Sequence, residues 1–305
     1  MYFHSRREFL QSSALLLAAA IFNYSFAVKN KKPLLAFSTL GCPDWTFEQI
    51  INFASSHGYS GIEVRGIQRQ LDLTKCSAFN TVENIKATIK LMEDKNLRFV
   101  DLGSSCTLHF AAGAERSKNL DEGKRFIDLA QQITCPYIRV FPNSFPKEQT
   151  KEVTIELIAN GLVELAEHAK GSNVSVLIES HGDLVKISDL ETVMNAAAHA
   201  HVGMVWDITN MWVVTKEQPL EMYTRLKKYI RHTHIKDAKL VEGKPQYTLL
   251  GKGEVPIIQA IDILSKDGYS GYYSFEWEKL WHPEIAEPEI ALADYINVME
   301  QHFKM

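Results

Sequence analysis

The chain of 305 residues is poor in cysteine, with only Cys42, Cys76, Cys106 and Cys135. No two of them form a Cys-x-x-Cys pair, so the usual cysteine metal and redox spacings are absent. Cys106 and Cys135 lie in or beside apolar runs, and we read the cysteines first as small buried apolar residues. One or two disulfides in an oxidising compartment are the alternative. Excess positive charge is also missing. Lys and Arg number 33 against 37 Asp and Glu, a net −4, with no basic block. A nucleic-acid partner therefore has no electrostatic footprint. No Pro/Gly/Ser-rich linker or low-complexity segment divides the chain. The apolar fraction of 46% is that of an ordinary globular protein.

The longest apolar stretch sits at the start, in "SRREFLQSSALLLAAAIFNYSFA". Its core, Ala14 to Phe22, is far shorter than the roughly 20 residues of a membrane-spanning helix. Arg6 and Arg7 precede it, and Ser25-Phe26-Ala27 offers small residues for cleavage. This resembles a twin-arginine (Tat) export signal, with Gln11 where a Lys is common. Residues 1–27 are thus expected to be a signal peptide. The mature protein is expected in the periplasm, with no membrane span after removal. An amphipathic helix or an uncleaved anchor is the alternative. No Cys follows the apolar run, which argues against a lipoprotein anchor.

From Pro33 onward short apolar runs alternate with helical spacing. "LLAFSTL", "GIEVRG", "LRFVDLGSS" and "YIRVFP" read as strands, followed by "VSVLIES", "VGMVWDITN", "RHTHIKDA" and "GYYSFEWEK". Each is followed by an amphipathic helical stretch, the last of them "EPEIALADYINVMEQHF". Eight βα units in this length favour a single-domain (β/α)8 TIM barrel of the α/β class, over residues 33–303. An open nucleotide-binding sheet would want a Gly-rich turn after its first strand. Here "STLGCPDW" has one glycine. The insertion "KLVEGKPQYTLLGKGEVP" reads as a hairpin-like loop at the barrel mouth.

In such barrels chemistry sits where strands end. The last four strands each end on an ionisable group: Glu179, Asp207, His234 and Glu276. Three carboxylates and an imidazole converging there would repel one another without a cation, and a divalent metal resolves this. Singly, each has a plainer role open to it. Asp207 can cap the next helix, Glu276 can pair with Lys279, and a lone His234 can be a hydrogen-bonded core histidine.

Taken in order, "GIEVR", "LIESHGD", "WDITN", "HIKD", "GKGEVP" and "FEWE" resemble the xylose-isomerase-like TIM barrels. That superfamily holds sugar isomerases and epimerases, inosose dehydratases and endonuclease IV. The resemblance covers about residues 33–303 and implies one divalent ion (Mn²⁺, Mg²⁺, Co²⁺ or Zn²⁺) on Glu179, Asp207, His234 and Glu276. It also implies that Glu179 and Glu276 are the catalytic proton carriers, one on each face of the substrate. The endonuclease branch carries a His three residues after the sixth-strand Asp, and an Asp-x-His after the seventh strand. This chain has Asn210 and Lys236-Asp237-Ala238 there, which argues against a trinuclear phosphodiesterase. Tagatose-epimerase-like members have a sugar-binding His at the Asn210 position.

Further candidates for substrate contact are Glu63, Arg65, His109, Arg139, His181, Asn210 and Lys236. A structural ion pair is the alternative for Glu63, Arg65 and Arg139. Five tryptophans near strand ends (Trp45, Trp206, Trp212, Trp277 and Trp281) are candidates to stack on a sugar ring, or to pack. The expected activity is isomerisation or epimerisation of an unphosphorylated keto sugar through an enediolate. A lyase, dehydratase or glycoside-cleaving activity on 3-keto-glycosides is the alternative, and a non-catalytic carbohydrate-binding barrel is another. A small carbohydrate is the expected partner, and a homo-oligomer remains an open expectation.

Overall fold

A computed structural model describes residues 32–304; the export-signal reading of residues 1–27 lies outside them. Eight parallel strands close a barrel. They are β1 (Leu34–Ser38), β2 (Gly61–Val64), β3 (Arg98–Thr107), β4 (Tyr137–Phe141), β5 (Ser175–Glu179), β6 (Val202–Asp207), β7 (Ile230–Ile235) and β10 (Tyr272–Phe275). Around the ring the order is β1-β10-β7-β6-β5-β4-β3-β2. The strands are nearly all buried, since helices cover the outside and side chains fill the inside.

The helices follow their sequence signals. Helix α1 (Phe47–Ser56) opens on a capping box. The Gln49 backbone N–H donates to Thr46 Oγ1 at 3.2 Å, and the Thr46 N–H donates to Gln49 Oε1 at 2.8 Å. Its buried residues Phe47, Ile50, Ile51 and Ala54 recur at helical spacing and face the barrel. Helices α2 (Val82–Asp94), α3 (Ala114–Gln132), α4 (Lys151–His168) and α5 (Ile187–Ala196) cover the strands that follow them in the same way.

Two strand ends differ from the sequence reading. "DITN" does not extend β6: the strand stops at Asp207, and α6 (Ile208–Thr215) begins at once. Asp207, still paired with His234 in the β6–β7 ladder, caps it: its Oδ1 accepts the Asn210 N–H at 2.7 Å. "HTHIKDA" is likewise broken after Ile235. The chain then leaves the barrel as a hairpin of β8 (Asp237–Val241) and β9 (Lys244–Thr248). Glu242 and Gly243 both have positive φ at its tip, the two-residue turn that suits strand twist. Helices α7 (Pro219–Leu226), α8 (Ile257–Lys266) and α9 (Pro288–Phe303) complete the outer ring.

The "HIKD" and "GKG" segments explain each other. Asp237 Oδ2 accepts the N–H groups of Gly251 and Gly253, each at 2.9 Å, pinning the loop after the hairpin. A Cβ on Gly253 would lie 2.0 Å from Asp237 Oδ1, so only glycine fits. All four cysteines are buried and unpaired, in agreement with the apolar reading.

Candidate metal centre and pocket

Glu179, Asp207, His234 and Glu276 come together at the C-terminal mouth, fully buried, with one ligand atom from each lying within 4.8 Å of the others. Every one of the four is held from behind. Asp207 spends Oδ1 on the α6 cap and turns Oδ2 inward, so the capping role and the inward role coexist. Glu276 gives Oε2 to Lys236 Nζ at 2.6 Å and presents Oε1 to His234 Nδ1 at 3.3 Å. Glu179 lies 3.0 Å from Arg139 Nε through Oε2, and its Oε1 accepts from Asn210 Nδ2 at 3.3 Å. His234 uses Nε2 on Glu63 at 3.1 Å, leaving Nδ1 facing the three carboxylates.

These residues fit a divalent ion. Asp207 Oδ2 lies 2.8 Å from Lys236 Nζ, and Glu179 Oε2 lies 3.0 Å from Arg139 Nε. His234 Nδ1, in contrast, is buried with no hydrogen-bond partner among the described residues, and faces Glu179, Asp207 and Glu276 oxygens at 3.7, 3.7 and 3.3 Å. A polar nitrogen is costly to bury unpaired, and one facing three buried carboxylates suits a cation between them. Oxygen and imidazole donors together match zinc, manganese, magnesium or cobalt more than a soft-metal site. The carboxylate behind the imidazole is the usual device that fixes a ligand tautomer.

Beneath this set lies a polar layer. Glu63 Oε2 accepts from His232 Nε2 at 2.9 Å and Ser274 Oγ at 3.0 Å, besides His234. Glu63 therefore does not open onto the pocket, contrary to its expected substrate contact. Next to it on β3 is Asp101, fully buried, with neither oxygen hydrogen-bonded among the described residues. Burial first, and then the charge of Glu63, push its pKa up to about 7. A carboxyl whose folded pKa is raised loses stability as pH climbs from its unfolded value towards the folded one. Folding stability is therefore expected to fall by on the order of 4 kcal/mol between pH 4 and pH 7 on this account. Denaturant titrations across that range should show it, and Asp101→Asn should flatten the profile.

Above the centre is a cavity of about 140 Å³, lined among others by Arg65, Arg139, Phe141, His181, Lys236 and Trp281. Not every expected contact reaches it. His109 packs on Phe110 with ring centroids 4.0 Å apart and does not line the cavity; burial lowers its pKa. Asn210 serves Glu179 instead. Lys236 forms part of the wall, but its ammonium is turned into Glu276, Glu278 and Asp207 rather than offered to a substrate. Lys279, the other candidate partner of Glu276, instead donates to the carbonyls of Pro283 and Ile285. Of the five tryptophans only Trp281 lines the cavity, 51% exposed; Trp206 and Trp277 are core residues. Glu278 escaped the sequence reading, although it is the second carboxylate of "FEWE".

The "ESHGD" turn is built for rigidity. Gly182 has φ +60°, and a Cβ there would meet Asn143 O at 2.5 Å. Asp183 Oδ2 accepts the Phe145 N–H at 2.7 Å. His181 is thereby set against Phe141, with ring centroids 4.7 Å apart and an unpartnered Nδ1.

Residues 51–299 match the xylose isomerase-like TIM barrel family. The chain belongs to that family. Inosose dehydratase from Clostridium botulinum is 23% identical over 268 residues, covering 80% of this chain and 85% of that one. Among solved structures, the IolI protein with a bound zinc atom aligns with TM-score 0.74 at 16% identity, over 89% of this chain and 99% of its own. The 3-keto-D-glucoside 4-epimerase of E. coli aligns with TM-score 0.71 at 13% identity, over 88% and 100%. These likenesses establish the xylose isomerase-like fold, whose relatives here include a dehydratase and an epimerase. No helix among the described residues is long and apolar enough to cross a membrane.

Proposed function

We propose that this xylose isomerase-like barrel is a divalent-metal-dependent enzyme that moves a proton at a carbon beside the carbonyl of an unphosphorylated keto sugar. The outcome is isomerisation or epimerisation. The observation that carries the reading is the convergence of the buried carboxylates of Glu179, Asp207 and Glu276 on the unpartnered Nδ1 of His234, under an open cavity. A bound divalent ion would supply Lewis acidity, making the C–H beside a carbonyl easier to ionise.

The chain's own residues do the rest. Asp207, held by the α6 cap, and His234, held by Glu63, keep the ion-binding edge fixed. Glu179 and Glu276 are the proton carriers. Both have pKa values held below the usual carboxylate range. Burial and the neighbouring carboxylate push Glu179 up, but Arg139 and His234 outweigh them; His234 and Lys236 outweigh burial at Glu276. Both are therefore ionised at neutral pH and able to accept a proton.

A second reading is favoured by one observation. The outer oxygens of Glu179 and Glu276 are each engaged by a cation, whereas His181 Nδ1 is unpartnered and its ring faces the cavity. With His181 as the base, loss of a group β to the carbonyl gives a dehydratase or a lyase on 3-keto-glycosides. The similarity to an inosose dehydratase supports it.

The twin-arginine-like start supports export to the periplasm, where free sugars and glycosides are more plausible substrates than sugar phosphates. The test is metal analysis of the purified protein, followed by solvent deuterium exchange into keto sugars. About one equivalent of divalent metal and metal-dependent exchange are expected. A protein that holds no metal after reconstitution ends the proposal. Tight sugar binding without turnover on a broad panel would make it a binding barrel.

A further inference from the structure

Two arginines face the metal-ligand set across the same cavity. Arg65 follows β2, and Arg139 lies in β4; both line the cavity, at 5% and 1% exposure. Strand β3 between them is shaped for the pair. A Cβ on Gly103 would lie 2.6 Å from Arg65 Cδ and 2.9 Å from Arg139 Nη2, so glycine lets both guanidiniums lie over the strand. The next two residues hold them: Arg139 Nη1 donates to Ser104 O at 2.9 Å, and Arg65 Nη2 donates to Ser105 Oγ at 3.1 Å.

The two cations differ in one respect. Arg139 has a carboxylate at 3.0 Å, Glu179. Arg65 has no carboxylate within ion-pair distance among the described residues, and its Nη1 is buried without a hydrogen-bond partner. Glu122, Glu276 and Glu179 act on it beyond ion-pair distance, but burying a second guanidinium beside Arg139 with no carboxylate in direct contact is unfavourable on both desolvation and repulsion. Burial and then Arg139 lower its pKa to about 9, which still leaves it charged at neutral pH.

We propose that Arg65, seconded by Arg139, receives a carboxylate of the substrate, so that the keto sugar is a sugar acid of the uronate type. The inference rests on the cavity being the substrate site. The planar guanidinium fork matches a carboxylate, and the opposite wall is left for the carbonyl and hydroxyl oxygens. Phosphate is a poorer fit. Barrel phosphate sites usually use the loops after the last strands and a helix N-terminus. Here the chain after β7 runs into the β8–β9 hairpin, and the loop after β10 is tied down by Lys279.

The test is calorimetric titration of the full chain with D-glucuronate and D-galacturonate, the parent hexoses, and inorganic phosphate. Metal-loaded and metal-free protein are both used, so that a preference caused by the ion itself is separated out. The uronates are expected to bind about 10- to 100-fold more tightly than the hexoses. Arg65→Met, with folding checked by thermal melting, should erase that difference, uronate affinity falling to that of the parent hexose in the same variant. Arg65→Lys should restore part of it. Equal binding of uronate and hexose, no uronate binding, or tighter binding of phosphate would overturn the proposal. So would an Arg65→Met effect that falls equally on metal and hexose binding, which would mark Arg65 as a counter-charge for the carboxylates. None of these outcomes depends on deuterium exchange, so the enolisation reading stands or falls separately.

Discussion

Glu179→Gln is expected to slow solvent deuterium exchange into a keto sugar by about 10²- to 10⁴-fold, the usual contribution of a positioned proton carrier. The substitution keeps the size of the side chain and an oxygen for Asn210. It removes the negative charge and the ability to take a proton. Because a neutral amide is also a weaker ligand, exchange is to be measured at saturating metal, with bound metal quantified in both proteins. Arg139 loses its only carboxylate within ion-pair distance among the described residues, so some loss of thermal stability accompanies the change. Exchange at the wild-type rate in a metal-loaded variant would remove Glu179 from proton transfer. The unpartnered imidazole of His181 would then carry that step.

Lys236→Met should give the largest stability effect. The ammonium is 1% exposed, 2.8 Å from Asp207 Oδ2, 2.6 Å from Glu276 Oε2 and 2.5 Å from Glu278 Oε1. Burial alone would lower its pKa, but the three carboxylates raise it well above the ordinary lysine value. A lysine whose folded pKa is raised stabilises the fold fully below its unfolded pKa, and loses this only as pH rises through the folded value. The effect is therefore complete at pH 7. Removing one partner of a buried ionic cluster typically costs about 3–5 kcal/mol, because the other charges stay buried. For a domain of this size that is a fall in melting temperature on the order of 10 °C. Divalent metal should recover more stability in the variant than in the wild type, since the ion then supplies the missing positive charge. Equal metal-induced shifts in both proteins would show that Lys236 and the ion do not share those carboxylates.

The barrel was legible because its signals are local. Apolar runs of strand length, helical spacing as in Phe47–Ile50–Ile51–Ala54, and caps such as Thr46 and Thr150 each act within a few residues. The site tetrad was legible for a related reason. A chain that alternates β and α fixes which residues sit at strand ends, and a parallel barrel brings those ends to one mouth. What escaped were contacts whose partners are far apart in the chain. Glu63 and His234 are 171 residues apart, so no spacing rule shows that the carboxylate lies behind the imidazole and away from the cavity.

By itself, then, the sequence determined the fold class and the chemical type of each strand-end residue, through periodicity and through charge placed where an apolar run stops. Only the tertiary structure decided direction: Glu63 beneath the centre, Lys236 turned into the carboxylates, and His109 outside the cavity. It also decided that Gly103 admits two guanidiniums side by side. Which way a buried side chain turns depends on whatever lies across the barrel, and that is set by closure of the ring rather than by any stretch of sequence.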